Sequence, residues 1–430
     1  MPRVLIISPC FAPSSYPPAL RTRLFALHLS SFGWEPVVLT VDPKYIEGIK
    51  DPLLERSTLS RLEVVRTKAV PYQLTRRFGV GELGLRAFWH QYQAAKKIIL
   101  QKKIDLVFIS GPPWTTFMIG ALLKRKYGIP YVLDYIDPWV NLKNIKRNLF
   151  KKRFWADKLA EILDPISLRH ASGVTAVSRG ILDLLLDQYP FLHKKSMKDL
   201  PYGYHREDFD FLKNLSLPNN YFNLKDGYFH ISYVGAVWKE AYGTLKSVFS
   251  ALYKIKKEFP DKFSRMKWHF IGTSYGMQAK PQVLPIAEEC GVREAVQESV
   301  SRVSYFQALH LLQQSDALFA FGSNDPSYTS SKIFPCVLAQ KPILAVYHRE
   351  SSVLQILKDA GVGKVVSFFD EDTVEGRIDE LKMAILEFLS GTPPPTVVNW
   401  EGFSKYSAAS MTEELVTIFE RTARLVGKDE

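Results

Sequence analysis

Residues 3–41 read RVLIISPCFAPSSYPPALRTRLFALHLSSFGWEPVVLTV, and this stretch decides the fold class. Arg3–Ser8 is a short apolar run suited to a parallel strand buried on both faces. A loop rich in proline and serine follows, PCFAPSSYPPA, and then a helical pattern from Leu20 to Ser31, stopped by Phe32-Gly33. Val37–Val41 is the next strand. Strand, loop, helix, turn and strand in this order form the βαβ opening of a doubly wound sheet. The first loop has no G-x-G-x-x-G, which argues against a nicotinamide-linked oxidoreductase.

The alternation continues outward. Strands are predicted at Leu62–Thr67, Asp105–Ser110, Pro130–Asp134 and Gly173–Val177. Helices are predicted at Glu82–Gln101, Thr115–Tyr127, Ala156–His170 and Arg179–Gln188, the last capped by Ser178. The loops SGPPW and DYIDPW leave the C-terminal ends of two of these strands, the edge where open α/β sheets bind ligands. Residues 190–226 lack periodicity and are rich in Pro, Asn, Lys and Tyr, as a linker would be. A second α/β series then begins with Phe229–Val234 entering Gly235. It proceeds through Thr244–Glu258, Lys267–Ile271, Tyr305–Gln314, Ala317–Phe321, Ile343–Val346, Val353–Ala360, Lys364–Phe368 and Glu371–Leu389. An amphipathic helix, Glu401–Leu425, closes the chain. The expected division is 1–200, a linker at 201–226, 227–398, and a final segment 399–430.

The 430 residues suit two domains rather than one, and 46% hydrophobic with 23% charged residues is a globular composition. Cys10, Cys290 and Cys336 lie far apart with no C-x-x-C, so neither a disulfide framework nor a zinc site is expected, and a reducing cytoplasm is. The apolar run in MPRVLIISPC is too short for a signal peptide, and no stretch reaches membrane-span length. The expectation is a cytoplasmic chain, soluble or peripheral on a membrane. Much of the net charge of +12 is local. Lys143, Lys146, Arg147, Lys151, Lys152 and Arg153 are interleaved with Leu149, Phe150, Phe154 and Trp155. Residues 143–155 therefore read either as a surface for anionic lipid headgroups or as a solvated helix face. No nucleic-acid-binding module accompanies the charge, so nucleic acid is not an expected partner.

The second half carries its own informative stretch, FGSNDPSYTSSKIFPCVLAQKPILAV at residues 321–346. A strand gives way to a polar loop, Ser323–Ser331, then to a helix expected at Lys332–Gln340 and a further strand. Ser330 or Ser331 is positioned as an N-cap, and Lys332 adds a cation beside the free N–H groups. Such an element can hold an anionic ligand, or it can be an ordinary connection whose serines only cap a helix.

Several stretches taken together resemble the GT-B retaining glycosyltransferases of the family 4 type. They are VLIISPCFAP with LRTRLFALHLSSFGWEPVVLT, DLVFISGPP, KRKYGIPYVLDYIDPW, ASGVTAVSRGI, LPYGYHREDF, YVGAVWKEAYGTL, RVSYFQALHLLQQSDAL and PSYTSSKIFPCVLAQKPILAV. The resemblance spans nearly the whole chain. It implies an α/β fold of two facing Rossmann-like domains with a donor cleft between them, and a last helix packing back on the N-terminal domain. It further implies transfer of a sugar from a nucleoside diphosphate donor, with retention, to a glycan or lipid-linked acceptor. The FGWEPVVLT and DYIDPW forms resemble a sub-branch of cell-surface polysaccharide assembly. No metal or other cofactor is implied, so positive groups of the protein must offset the charge on the leaving diphosphate.

Residue by residue, the resemblance makes Gly235 the glycine that lets backbone approach the donor. Ala236 stands where an arginine is usual, leaving Lys239 as a candidate diphosphate clamp or a solvated loop lysine. Val303 falls where backbone meets the nucleobase, or it simply packs. Tyr328, Ser330, Ser331 and Lys332 form the expected phosphate loop. Two glutamates usual in that loop are replaced by Ser327 and Pro335, and proline cannot bond a ribose. Ser110 replaces a usual histidine. Asp137 is then the carboxylate expected to act at the reacting carbon or to orient the acceptor, or else an Asx-turn residue before Pro138. Arg21, on the acceptor side, is a candidate to touch the phosphate or an anionic acceptor, or else a plain helix-surface arginine; Tyr16 and Trp114 are expected with Ser110 on that same side. Loss of the two glutamates and the histidine keeps open an alternative, a catalytically inactive GT-B scaffold that binds partners.

Overall fold

The computed structural model describes residues 1–77, 79–140, 152–274, 280–326, 328–369, 375–390 and 393–426. The position Ser327, most of the basic stretch 143–155 and the first residues of the helix expected at Glu371–Leu389 lie outside them. The chain divides into two units, Met1–Gly203 with the final helix, and Tyr204–Ser407.

The first unit holds seven parallel strands: β1 (Arg3–Ile7), β2 (Glu35–Val41), β3 (Glu63–Thr67), β4 (Leu106–Gly111), β5 (Tyr131–Tyr135), β6 (Gly173–Ala176) and β7 (Ser196–Asp199). Their order across the sheet is β3-β2-β1-β4-β5-β6-β7. Both faces of the central strands are covered, so these strands are nearly continuous apolar runs, with Val4–Ile7 and Leu106–Ile109 wholly buried. The Pro17–His28 and Ala408–Val426 helices cover one face. There Phe108 packs against Phe25 at 5.9 Å and Phe419 at 5.6 Å between ring centroids.

The second unit has six parallel strands: β8 (Phe229–Val234), β9 (Met266–Ile271), β10 (Val296–Ser299), β11 (Ala317–Phe321), β12 (Ile343–His348) and β13 (Lys364–Phe368). The order is β10-β9-β8-β11-β12-β13. Its core is aromatic, built on Trp268, Phe270, Phe319 and Phe321.

Two boundaries differ from the sequence reading. From Tyr204 on, the expected linker belongs to the second unit: Arg206–Lys213 is a helix whose Asp208 accepts the Tyr305 hydroxyl at 2.8 Å. The final segment is also split. Trp400–Phe403 stays in the second unit, where Phe403 stacks on Tyr204 at 4.5 Å, and only Ala408 onward joins the first. Among the described residues no helix is long and apolar enough to cross a membrane.

Candidate functional site

In each sheet the strand order reverses once, between β1 and β4 in the first unit and between β8 and β11 in the second. Crossovers leave in opposite directions at such a point, so the loops at the strands' C-terminal ends part and open a crevice for ligand.

In the second unit, the β8 loop contributes Gly235, Trp238 and Lys239, and the β11 loop contributes Tyr328, Ser330, Ser331 and Lys332. The two loops meet at Gly235 and again at Trp238. A Cβ on Gly235 would lie 1.9 Å from Lys332 Cε and 2.7 Å from Cδ, so only glycine leaves a seat for that side chain. The Lys332 ammonium then sits 5.5 Å from the centre of the Tyr233 ring and 5.6 Å from that of Trp238. Trp238 in turn stacks on Phe321 at 6.0 Å and meets Tyr328 at 5.0 Å. Aromatic faces attract a cation but do not neutralise it. Among the described residues, no carboxylate is paired with Lys332. Burial pushes its pKa down to about 8, and the positive charge of Arg302 adds to the effect. A cation held in low dielectric with no counter-ion is a seat for an anion.

The rest of the loop is arranged around that lysine. The helix is Ile333–Leu338, shorter than expected, and Lys332 itself stands at its N-cap position. The buried Ser330 does not cap the helix; its Oγ accepts the Lys332 N–H at 3.3 Å. Pro335 lies in the first turn, where its missing N–H breaks no helix bond, and Gln340 takes a left-handed φ of 53° beyond the end. Tyr328 is fixed through its carbonyl, which accepts the Ser351 hydroxyl at 2.9 Å. Ser331 is half-buried and Lys239 is exposed on the short 3-10 turn Lys239–Ala241. Val303 packs on Phe222, Ile271 and Leu311. Its backbone N would lie 3.7 Å from a Cβ on Gly272, which has φ +76°. Trp238, Tyr233 and Arg302 were not singled out from sequence. Trp238 lay in the quoted YVGAVWKEAYGTL stretch, but nothing in the sequence shows which loop its ring meets.

The first unit answers differently. Arg21 is fully buried and does not face an acceptor. Its Nε and Nη2 donate to the two oxygens of Asp134, each at 2.8 Å, and its Nη1 donates to the Pro201 carbonyl at 3.0 Å. Ser110 is also buried, and its hydroxyl donates to Asp134 at 2.8 Å, as does that of Thr175. Four donors on one buried carboxylate saturate it, so this cluster ties α/β elements together rather than waiting for a ligand. The expected acceptor roles of Arg21 and Ser110 are therefore corrected. The cause lies in Asp134, which hides inside the apolar strand YVLDY.

Asp137 is exposed in the loop after β5, and its carbonyl accepts Trp114 Nε1 at 3.1 Å, joining the two crevice-edge loops. It is not the sole carboxylate at this edge. Glu82 accepts the Thr115 hydroxyl at 2.9 Å beside the Pro113–Thr115 loop, and burial pushes its pKa up. Tyr16 is half-buried, packed with Cys10, Ala19 and Ile46; a Cβ on Gly48 would meet its hydroxyl at 2.5 Å.

Residues 18–192 match the family model described as a glycosyl transferase 4-like domain. No curated protein matches the chain. Solved structures similar in fold include Anabaena HepE in complex with UDP, with a TM-score of 0.58 and 12% identity over 98% of this chain and 100% of that one. A glycosyltransferase from Rickettsia africae ESF-5 gives a TM-score of 0.58 at 14% identity, covering 98% of each chain. Sucrose-phosphate synthase from Thermosynechococcus elongatus gives 0.56 at 12% identity, covering 100% of this chain and 98% of that one. At these identities the likeness is one of fold, and the fold is GT-B.

Proposed function

We propose, for a chain with the GT-B fold and a glycosyl transferase 4-like domain, that it moves a sugar from a nucleoside diphosphate donor to a glycan or lipid-linked acceptor. Transfer proceeds with retention and without a metal, in cell-surface polysaccharide assembly, at the cytoplasmic face of a membrane. The observation that carries this reading is the Lys332 ammonium seated over Gly235 at the β8/β11 reversal, with no carboxylate paired to it among the described residues. A diphosphate there supplies the missing counter-charge, and the same ammonium stabilises the diphosphate as the sugar leaves. Lys239, Ser331 and the backbone N–H groups of the loop add donors, and the backbone at Val303 meets the base. Pro335 leaves the ribose without a carboxylate partner, so affinity rests on the diphosphate. Asp137 and Trp114 serve the acceptor. Anabaena HepE has been solved with UDP and with UDP-glucose, which makes uridine donors the first to test.

Calorimetry with UDP, GDP and ADP and their sugars tests the reading. Lys332→Ala is expected to weaken the preferred donor roughly ten- to hundredfold, the worth of a charge-assisted contact. Unchanged affinity removes the loop from the site. Donor binding with neither hydrolysis nor transfer would favour the inactive scaffold, a reading that the loss of Ser110 to the Asp134 cluster motivates.

A further inference from the structure

The Lys152–His170 helix buries Ala160, Asp164, Ser167 and Leu168, and leaves a row of apolar side chains outward. The Asp164 carboxylate accepts the Tyr135 hydroxyl at 2.5 Å and the Tyr189 hydroxyl at 3.1 Å, while the Tyr131 hydroxyl donates to the Ser167 carbonyl at 2.5 Å. Its outward face carries Trp155, Leu159, Ile162 and Ile166, exposed by 66%, 41%, 59% and 41%. Their spacing of four, three and four residues sets them in one row along the helix, about 16 Å long at 1.5 Å per residue. A surface helix of a globular protein ordinarily buries such a row. Here the inner face carries Asp164, held by the Tyr135 and Tyr189 hydroxyls, beside the buried Ala160 and Leu168, and the apolar row is left outside.

Basic side chains lie at the C-terminal end of the row and beside it. Arg169 and His170 are exposed at its C-terminal end. Beside them Lys124 Nζ donates to the His170 carbonyl at 3.1 Å and Lys195 Nζ to the Ala171 carbonyl at 2.6 Å. Lys158 flanks the row, ion-paired with Glu161 and 6.0 Å from the centre of the Phe154 ring. In sequence, Lys151, Lys152 and Arg153 lead directly into Phe154 and Trp155. A row one helix wide is too small for the roughly 800 Å² per partner of a standard protein interface. An apolar row with basic flanks matches the boundary between acyl chains and anionic headgroups.

We propose that this face docks on an anionic phospholipid bilayer, with Trp155, Leu159, Ile162 and Ile166 entering at headgroup depth. The inference rests on the proposed function only for its purpose, delivery to a membrane-borne acceptor; the docking stands on its own observations. Flotation of the full chain with vesicles of phosphatidylcholine and phosphatidylglycerol in equal parts tests it. The wild type is expected to float with these vesicles and at least tenfold less with phosphatidylcholine alone. The double variant Trp155→Ser/Ile162→Ser is expected to partition at least tenfold more weakly while keeping its melting curve and its donor affinity. Failure of the wild type to float, or equal flotation of the variant, overturns the proposal. So does a dimer in light scattering that the double variant dissolves, which would make the row a contact between copies. A wild type that floats but binds no sugar nucleotide upholds the docking and rejects the proposed function instead.

Discussion

Arg21 and Lys332 are both cations sequestered below the C-terminal edge of a parallel sheet, and among the described residues only one of them has a counter-ion. Arg21 holds Asp134 through two parallel bonds while Ser110 and Thr175 complete the carboxylate. Lys332 meets ring faces and the bare backbone of Gly235. A saturated pair stabilises its unit and offers nothing to a ligand. A cation without a partner destabilises the free protein and favours any anion that fits. The same residue class at the same kind of edge thus serves structure in one unit and recognition in the other.

The largest expected effect is on the paired side. Arg21→Ala strands the buried Asp134 charge and is expected to lower stability by about 3–5 kcal/mol in urea denaturation. A loss below about 1 kcal/mol would show that the pair is not structural. On the other side, Gly235→Ala places a methyl group where Lys332 Cε lies. The flexible lysine end moves aside, but φ at Gly235 is +155°, so the fold is expected to survive with some loss of stability while donor affinity falls about as far as in Lys332→Ala, roughly ten- to hundredfold. Affinity unchanged in Gly235→Ala would break the link between the glycine and the site.

The comparison also predicts opposite signs. Lys332→Met removes a buried charge and is expected to stabilise the free protein at neutral pH by about 1–2 kcal/mol, a value discounted for the side chain's partial exposure. With a folded pKa of about 8 against the ordinary lysine value of 10.5, the unfolded chain binds more protons between those values. The penalty is therefore present below pH 8 and is relieved as pH rises toward 10.5. Donor binding needs the ammonium, so affinity is expected to fall above pH 8, with proton uptake on binding near that pH. Calorimetry in buffers of different ionisation enthalpy measures this uptake, and none at pH 8 to 9 would contradict the assignment. The smallest effect is Ser110→Ala, which removes one of four donors to Asp134. It is expected to lower stability by about 1 kcal/mol and leave donor binding alone.

The architecture was legible because period and punctuation carry it: VLIIS, the helix ended by Phe32-Gly33 and VVLTV are a βαβ unit without further information. The short strands β7 (SMKD) and β10 (VQES) were not, since neither has alternation or an apolar run. Of the site, Lys332 was legible as a cation at a loop–helix junction. Its seat on Gly235 was not, because the two meet only through the sheet. Arg21 and Ser110 were drawn toward the wrong role for a related reason. Their partner, Asp134, reads as the polar end of a strand, and nothing local reveals that three elements converge on it. Position in the chain marks the edge of a sheet; the pairing of charges is a tertiary fact.

The Ala408–Val426 helix closes the face of the first sheet, where Phe419 lies 5.3 Å from Trp34 and a Cβ on Gly173 would come within 3.0 Å of Ile418. The second unit is therefore an insertion within the first in chain order. On the ribosome, Tyr204–Ser407 has all its own residues before the first unit has its last helix. Until residues 408–426 have been translated, the sides of Phe108 and Trp34 that Phe419 covers must remain exposed or be shielded by something else, which makes the nascent N-terminal half a natural client for a chaperone.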